Sequence, residues 1–217
     1  VYKRQTKASG VYRVTLSGKA APAKVIMLDK LMRISEKAKN ADVYLFTAQR
    51  FEEFPDLWVS DGGFATPRKV SDANPQQTEY LWGRSELIEY TNADGKRLPA
   101  ILIKPENFDP SRKYPLMVYI YETLAQGLHR YVSPGPGTSI NMARYVSNGY
   151  VILEPDIVYD IGYPGPSAVK CVLPAVEKVL DMGFIDPERI GIQGHSWGGY
   201  QISYLITQTD IFAAVQA

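Results

Sequence analysis

From Tyr114 to the last residue the chain alternates short apolar runs with helix-forming segments. "YPLMVYIY", "GYVILEPD", "RIGIQG" and "IFAAVQA" read as strands. "SINMARYVSN", "PSAVKCVLPAVEKVLDMG" and "WGGYQISYLITQ" lie between them and read as helices. Strands separated by helical segments cannot pair as hairpins; they pair in parallel through right-handed crossovers. The order therefore predicts an α/β fold, a mostly parallel sheet with helices on both faces. The longest helical segment supports this, because Val169, Val172, Leu173, Val176, Val179 and Leu180 stack on one face while Lys170, Glu177 and Lys178 fall opposite. Pro174 removes a backbone donor inside that helix and predicts a kink, and Gly183 predicts its end.

The preceding stretch is organised differently. "ELIEYTNADGKRLPAILIKP" holds two alternating apolar segments around Asp94 and Gly95, the pattern of a tight hairpin leading into the sheet. Before it, "KVIMLD", "DVYLFTAQR" and "DLWVSD" are short strand-like segments separated by polar or Gly-rich turns such as Asp61–Gly63. No helical period organises them, so an antiparallel sheet is expected, with a propeller blade as one candidate. "KLMRISEKAKN" is assigned to a polar loop between strands. The division predicted is a β-rich segment over residues 1–82 and an α/β part over residues 83–217.

Composition narrows function by exclusion. The 24 Lys and Arg against 23 Asp and Glu give a net charge of +1, which offers no reason to expect nucleic acid or an anionic membrane as partner. A single cysteine, Cys171, rules out an intrachain disulfide and a multi-cysteine zinc site. With only His129 and His195, a His-rich metal cluster is excluded as well, and no cofactor is implied. No apolar run approaches the roughly 20 residues needed to span a bilayer. The chain starts with Val and stops inside an apolar run, so it reads as cut at both ends, and neither compartment nor oligomeric state is fixed by the sequence.

Chemistry concentrates in "GIQGHSWGGYQISY". There Gly194-His195-Ser196-Trp197-Gly198 matches G-x-S-x-G between a strand and a helix, the context in which a sharp turn lifts a serine hydroxyl clear of the sheet. The two glycines let strand and helix pack closely. Ser196 is the candidate nucleophile, and the Trp197 amide at the start of the helix is the first candidate oxyanion donor. The competing reading is a serine that caps a helix in a Gly-rich loop.

"GHSWGGY" resembles the nucleophile motif of the prolyl oligopeptidase family of serine peptidases. "KYPLMVYIY" is similar to that family's strand leading to its oxyanion loop, "GFIDPERIGIQG" to its approach to the nucleophile, and the β-rich segment ending in "ANPQ" to the close of its propeller. The resemblance implies a partial α/β-hydrolase fold preceded by the end of a β-propeller. It also implies a short peptide as substrate, an acyl-enzyme on Ser196, and the Tyr121 hydroxyl as second oxyanion donor. The family usually follows that tyrosine with a Gly-Gly-Pro-like turn, where this chain has Glu122, Thr123 and Leu124. A buried strand tyrosine is the alternative for Tyr121, since Tyr119 shares its alternation.

A serine needs a base oriented by a carboxylate, in the chain order Ser, Asp or Glu, His. After Ser196 the chain has Asp210 and no histidine. His195 adjoins the nucleophile and should point away from its hydroxyl. His129 is expected as a solvent-exposed loop histidine, and Asp210 as a turn former after a helix. Asp156 and Asp160, in "PDIVYDIG", are expected to order a loop beside the site by hydrogen bonding rather than to act as a carboxylate dyad. The 217 residues are thus read as an internal, inactive piece of a serine peptidase. A carboxylesterase, and a non-catalytic peptide-binding domain with a vestigial serine, remain open beside that reading.

Overall fold

A computed structural model describes residues 6–16 and 21–217. It divides into two compact units, one holding the residues up to Thr78 together with His129–Tyr131, the other Glu79–Leu128 with Val132–Ala217. The first is all β. Strands β1 (Ser9–Arg13) and β2 (Ala23–Leu28) pair antiparallel, and β3 (Leu31–Lys37), β4 (Val43–Gln49), β5 (Asp56–Asp61) and β6 (Arg68–Lys69) form a four-stranded antiparallel meander in chain order. Met32, Phe46, Ala48 and Phe64 are its buried centre, with Phe46 stacked on Trp58.

One expectation fails here. "KLMRISEKAKN" is not a loop, because Leu31–Lys37 is the edge strand β3, with Met32 opposite Ala48 and Ile34 opposite Phe46. Only Leu31 and Met32 lose much exposure, and the rest of the strand faces water. A charged edge strand whose pairing partner supplies the order carries little apolar alternation of its own. The short strands β1 and β6 were equally silent in the sequence.

In the second unit, β7 (Gly83–Thr91) and β8 (Arg97–Pro105) form the predicted hairpin, with Gly95 at φ +77° in its turn. Then follow β9 (Tyr114–Tyr119), α1 (Met142–Ser147), β10 (Val151–Pro155), α2 (Pro164–Leu180), β11 (Ile185–Gln193), α3 (Trp197–Leu205) and β12 (Ala214–Gln216). The sheet order is β12-β11-β9-β10-β8-β7. Its β12–β11, β11–β9 and β9–β10 pairs are parallel, and β10–β8 and β8–β7 are antiparallel. Leu102, Leu153 and Val118 come into register on one face and pack with Val172, Val176, Ile202 and Leu205 of α2 and α3. The alternate residues Ile103 and Ile152 are buried on the other face, and Val146 of α1 touches the hairpin strand at Gly83. Among the described residues no helix is long and apolar enough to cross a membrane.

Pro174 lies inside α2, which runs unbroken to Leu180. A proline in a helix strands the carbonyl four residues earlier. That carbonyl is Lys170 O, and it accepts the Ala93 N–H from the β7–β8 turn at 2.9 Å, while the Lys170 ammonium pairs with Asp94. The break in the helix ladder thus becomes the attachment point of the hairpin.

Candidate active site

The turn between β11 and α3 carries Ser196. Its backbone sits at φ +54°, ψ −109°, a conformation that costs an L-residue on the order of 1–3 kcal/mol and persists only where the surroundings enforce it. Enforcement is visible on both sides. Gly194 N–H donates to Gln216 O of β12, and Gly198 N–H closes the turn onto His195 O. The Ile120 carbonyl passes so close that a Cβ on Gly198 would stand 2.3 Å from it. Only glycine permits that approach, and it brings the chain after β9 against the first turn of α3.

Ser196 is exposed and makes no side-chain cap hydrogen bond to α3. The geometry is therefore that of a presented hydroxyl and not of a helix cap. Trp197 opens α3, where the N–H groups of the first turn point toward incoming negative charge. His195 is also exposed, and among the described residues no hydrogen bond joins it to Ser196.

Tyr119 and Tyr121 separate clearly. β9 ends at Tyr119, which is 6% exposed, so strand alternation no longer governs Tyr121, which is 39% exposed. Two side chains hold the Tyr121 main chain. Gln201 Nε2 donates to Tyr121 O at 2.7 Å and to Trp197 O at 3.1 Å. The Tyr159 hydroxyl stands 3.0 Å from both Tyr121 O and Gln201 Oε1, sharing its one proton between them, and accepts the Trp197 indole N–H at 3.1 Å. Burial, with the nearby Glu122 charge, pushes the Tyr159 phenol up to about 12 against the hydrogen bond from Trp197, so it remains a donor at neutral pH. The Trp197 ring stacks on Tyr200 with centroids 5.4 Å apart.

The loop after Tyr121 has its own anchor. Asp156, 7% exposed, accepts the Leu124 and Ala125 N–H groups at 2.6 and 2.7 Å, and Ile157 N–H donates to Glu122 O at 2.9 Å. Asp160 has other partners, Ser167 Oγ at its backbone N–H and Lys170 at its carboxylate. The two acids thus shape separate segments and form no dyad. Ile211 N–H lies 3.4 Å from Thr209 Oγ1, in the turn that holds Asp210.

His129 is not the exposed loop histidine expected. It is buried within the first unit, with Nε2 3.3 Å from Asp29 Oδ1 but out of hydrogen-bond alignment. Burial holds its imidazole below the ordinary range, against the opposing pull of Asp29, so it is neutral near pH 7. A lone histidine in a Gly-containing run gives no periodic signal from which such burial can be read.

Gln201 and Tyr159 were not singled out in the sequence. The one signal for Gln201 is its place beside Ile202 on the buried side of α3, where an amide must find partners. Tyr159 has no spacing signal at all, since it lies on the loop between β10 and α2.

Residues 165–217 match the prolyl oligopeptidase family model. Among curated relatives, probable dipeptidyl-aminopeptidase B of Ajellomyces capsulatus is 27% identical over 137 residues, covering 54% of this chain and 13% of the relative. Prolyl endopeptidase FAP of Homo sapiens is 33% identical over 141 residues, covering 58% of this chain and 18% of the relative. The chain therefore spans less than a fifth of the length of either. Among solved structures, the AtxE2 isopeptidase superposes with a TM-score of 0.70 at 17% identity, over 95% of this chain and 33% of that one. That likeness establishes the fold, α/β, as a partial α/β-hydrolase sheet preceded by a β-rich segment resembling the end of a propeller. Its elbow segment, its relatives and its fold thus agree in one likeness, to the prolyl oligopeptidase family.

Proposed function

We propose that the whole protein is a serine peptidase of the prolyl oligopeptidase type, cleaving short peptides through an acyl-enzyme on Ser196. In this reading residues 83–217 are the nucleophile-bearing part of the catalytic domain and residues 1–82 belong to a propeller that limits substrate size. The observation that carries the proposal is the exposed Ser196, held at φ +54° on the β11–α3 turn with no capping bond.

Chemically, Ser196 Oγ adds to the scissile carbonyl carbon and its proton passes to a histidine base. The carbonyl oxygen becomes an oxyanion facing the Trp197 N–H and the Tyr121 hydroxyl. Collapse breaks the C–N bond as the base returns the proton to the leaving amine, and water then releases the acid from the ester. The 217 residues hold no histidine after Ser196. Alone they should hydrolyse little or nothing, and the acid and base belong to other parts of the whole protein. The test compares kcat/KM of the whole protein on short peptide amides and on p-nitrophenyl esters. Turnover of both, lost in Ser196→Ala, supports the peptidase; ester turnover alone points to a carboxylesterase. Peptide binding without turnover of either would contradict catalysis.

A further inference from the structure

We infer that Gln201 and Tyr159 are positioning residues that clamp the Tyr121 backbone onto the first turn of α3 and so set the spacing of the two groups assigned to the oxyanion, an assignment that rests on the peptidase reading above. Gln201 is fully buried. Its amide has two donors and one acceptor oriented by the surroundings, and all three are used: Nε2 reaches Tyr121 O and Trp197 O, and Oε1 meets the Tyr159 hydroxyl. Its neighbours on that side of α3, Ile202 and Leu205, are apolar, so simple core filling calls for another aliphatic residue at position 201.

Tyr159 adds what the amide lacks. Its single oxygen contacts Tyr121 O, Gln201 Oε1 and Trp197 Nε1, joining the end of β9, the buried face of α3 and the residue after the nucleophile. Both bonds to Tyr121 fall on its carbonyl, which leaves the tyrosine hydroxyl outside the clamp. The clamp therefore acts through Tyr121 and touches no reacting atom.

Two measurements test it. In the whole protein, Gln201→Leu should lower kcat roughly 10- to 100-fold with KM changed less than about 2-fold, because a misplaced oxyanion donor weakens only the transition state. Tyr159→Phe, the milder change, should cost about 3- to 10-fold and keeps the test available should Gln201→Leu not fold. In a Tyr121→Phe background Gln201→Leu should add less than about 3-fold, whereas a purely structural role would multiply the two losses. Independently of catalysis, hydrogen exchange at residues 121–125 should speed up at least about tenfold in Gln201→Leu. Wild-type kcat, multiplicative losses or unchanged exchange would each overturn the clamp. A wild-type protein that neither turns over nor reacts with a serine-directed probe sinks the peptidase reading, and the exchange rates then decide the clamp by themselves.

Discussion

The two units use buried carboxylates in the same way but to different ends. In the first, Asp56 accepts bonds from Ser71 Oγ and Ala73 N–H and pairs with Lys69, so the turn after β6 is tied back onto β5. Burial works to raise the Asp56 carboxyl, and those bonds outweigh it and hold it below the ordinary range. In the second, Asp156 takes two N–H groups of the loop after Tyr121, next to which Gln201, Tyr159 and the strained Ser196 converge. One carboxylate closes a local turn. The other orders the loop after Tyr121, whose carbonyl Gln201 and Tyr159 tie to the start of α3 beside the exposed Ser196, the nucleophile we propose.

The largest test of that contrast is Gly198→Ala. Its Cβ would collide with the Ile120 backbone oxygen, so the elbow and the Tyr121 segment must part. We expect kcat of the whole protein to fall by about 100-fold or more, read from initial rates on a short peptide substrate. Next come the two acids. Asp156→Ala leaves two loop N–H groups without their acceptor and should cost about 2–4 kcal/mol in urea unfolding, together with a fall in kcat. Asp56→Ala should cost about 1–3 kcal/mol while leaving kcat per folded molecule unchanged. Equal effects of the two on kcat would erase the distinction.

The smallest expected effect concerns His129. Its folded pKa lies below the ordinary value of 6.5, chiefly through burial, with Asp29 and Glu52 opposing and Arg50 adding to the shift. The unfolded chain then binds the proton more readily. The stability tied to neutral His129 is complete above pH 6.5 and is lost as pH falls from there through the folded pKa. His129→Gln should flatten the pH dependence of urea midpoints in that window; an unchanged slope would contradict the burial argument.

What was legible in the sequence follows from periodicity and turn chemistry. The apolar stripe of α2, the Asp94-Gly95 hairpin and the strand, glycine, serine, glycine, helix order of the elbow each depend on local spacing, and each appears in the structure. Edge strand β3 was invisible because its order comes from pairing with β4, not from its own pattern. The clamp was invisible for a related reason. Tyr121, Tyr159 and Gln201 lie up to 80 residues apart, and only the sheet order with its parallel crossovers brings them to one end of the strands. The carbonyl freed by Pro174 shows the same limit, since its partner Ala93 belongs to a turn 77 residues earlier, counted from Lys170.

The most direct test of the central claim is to label the whole protein with a fluorophosphonate and map the modified residue by peptide sequencing. The account predicts a single covalent adduct on Ser196, absent together with peptide turnover in Ser196→Ala. An adduct on another serine, or turnover that survives Ser196→Ala, would contradict it.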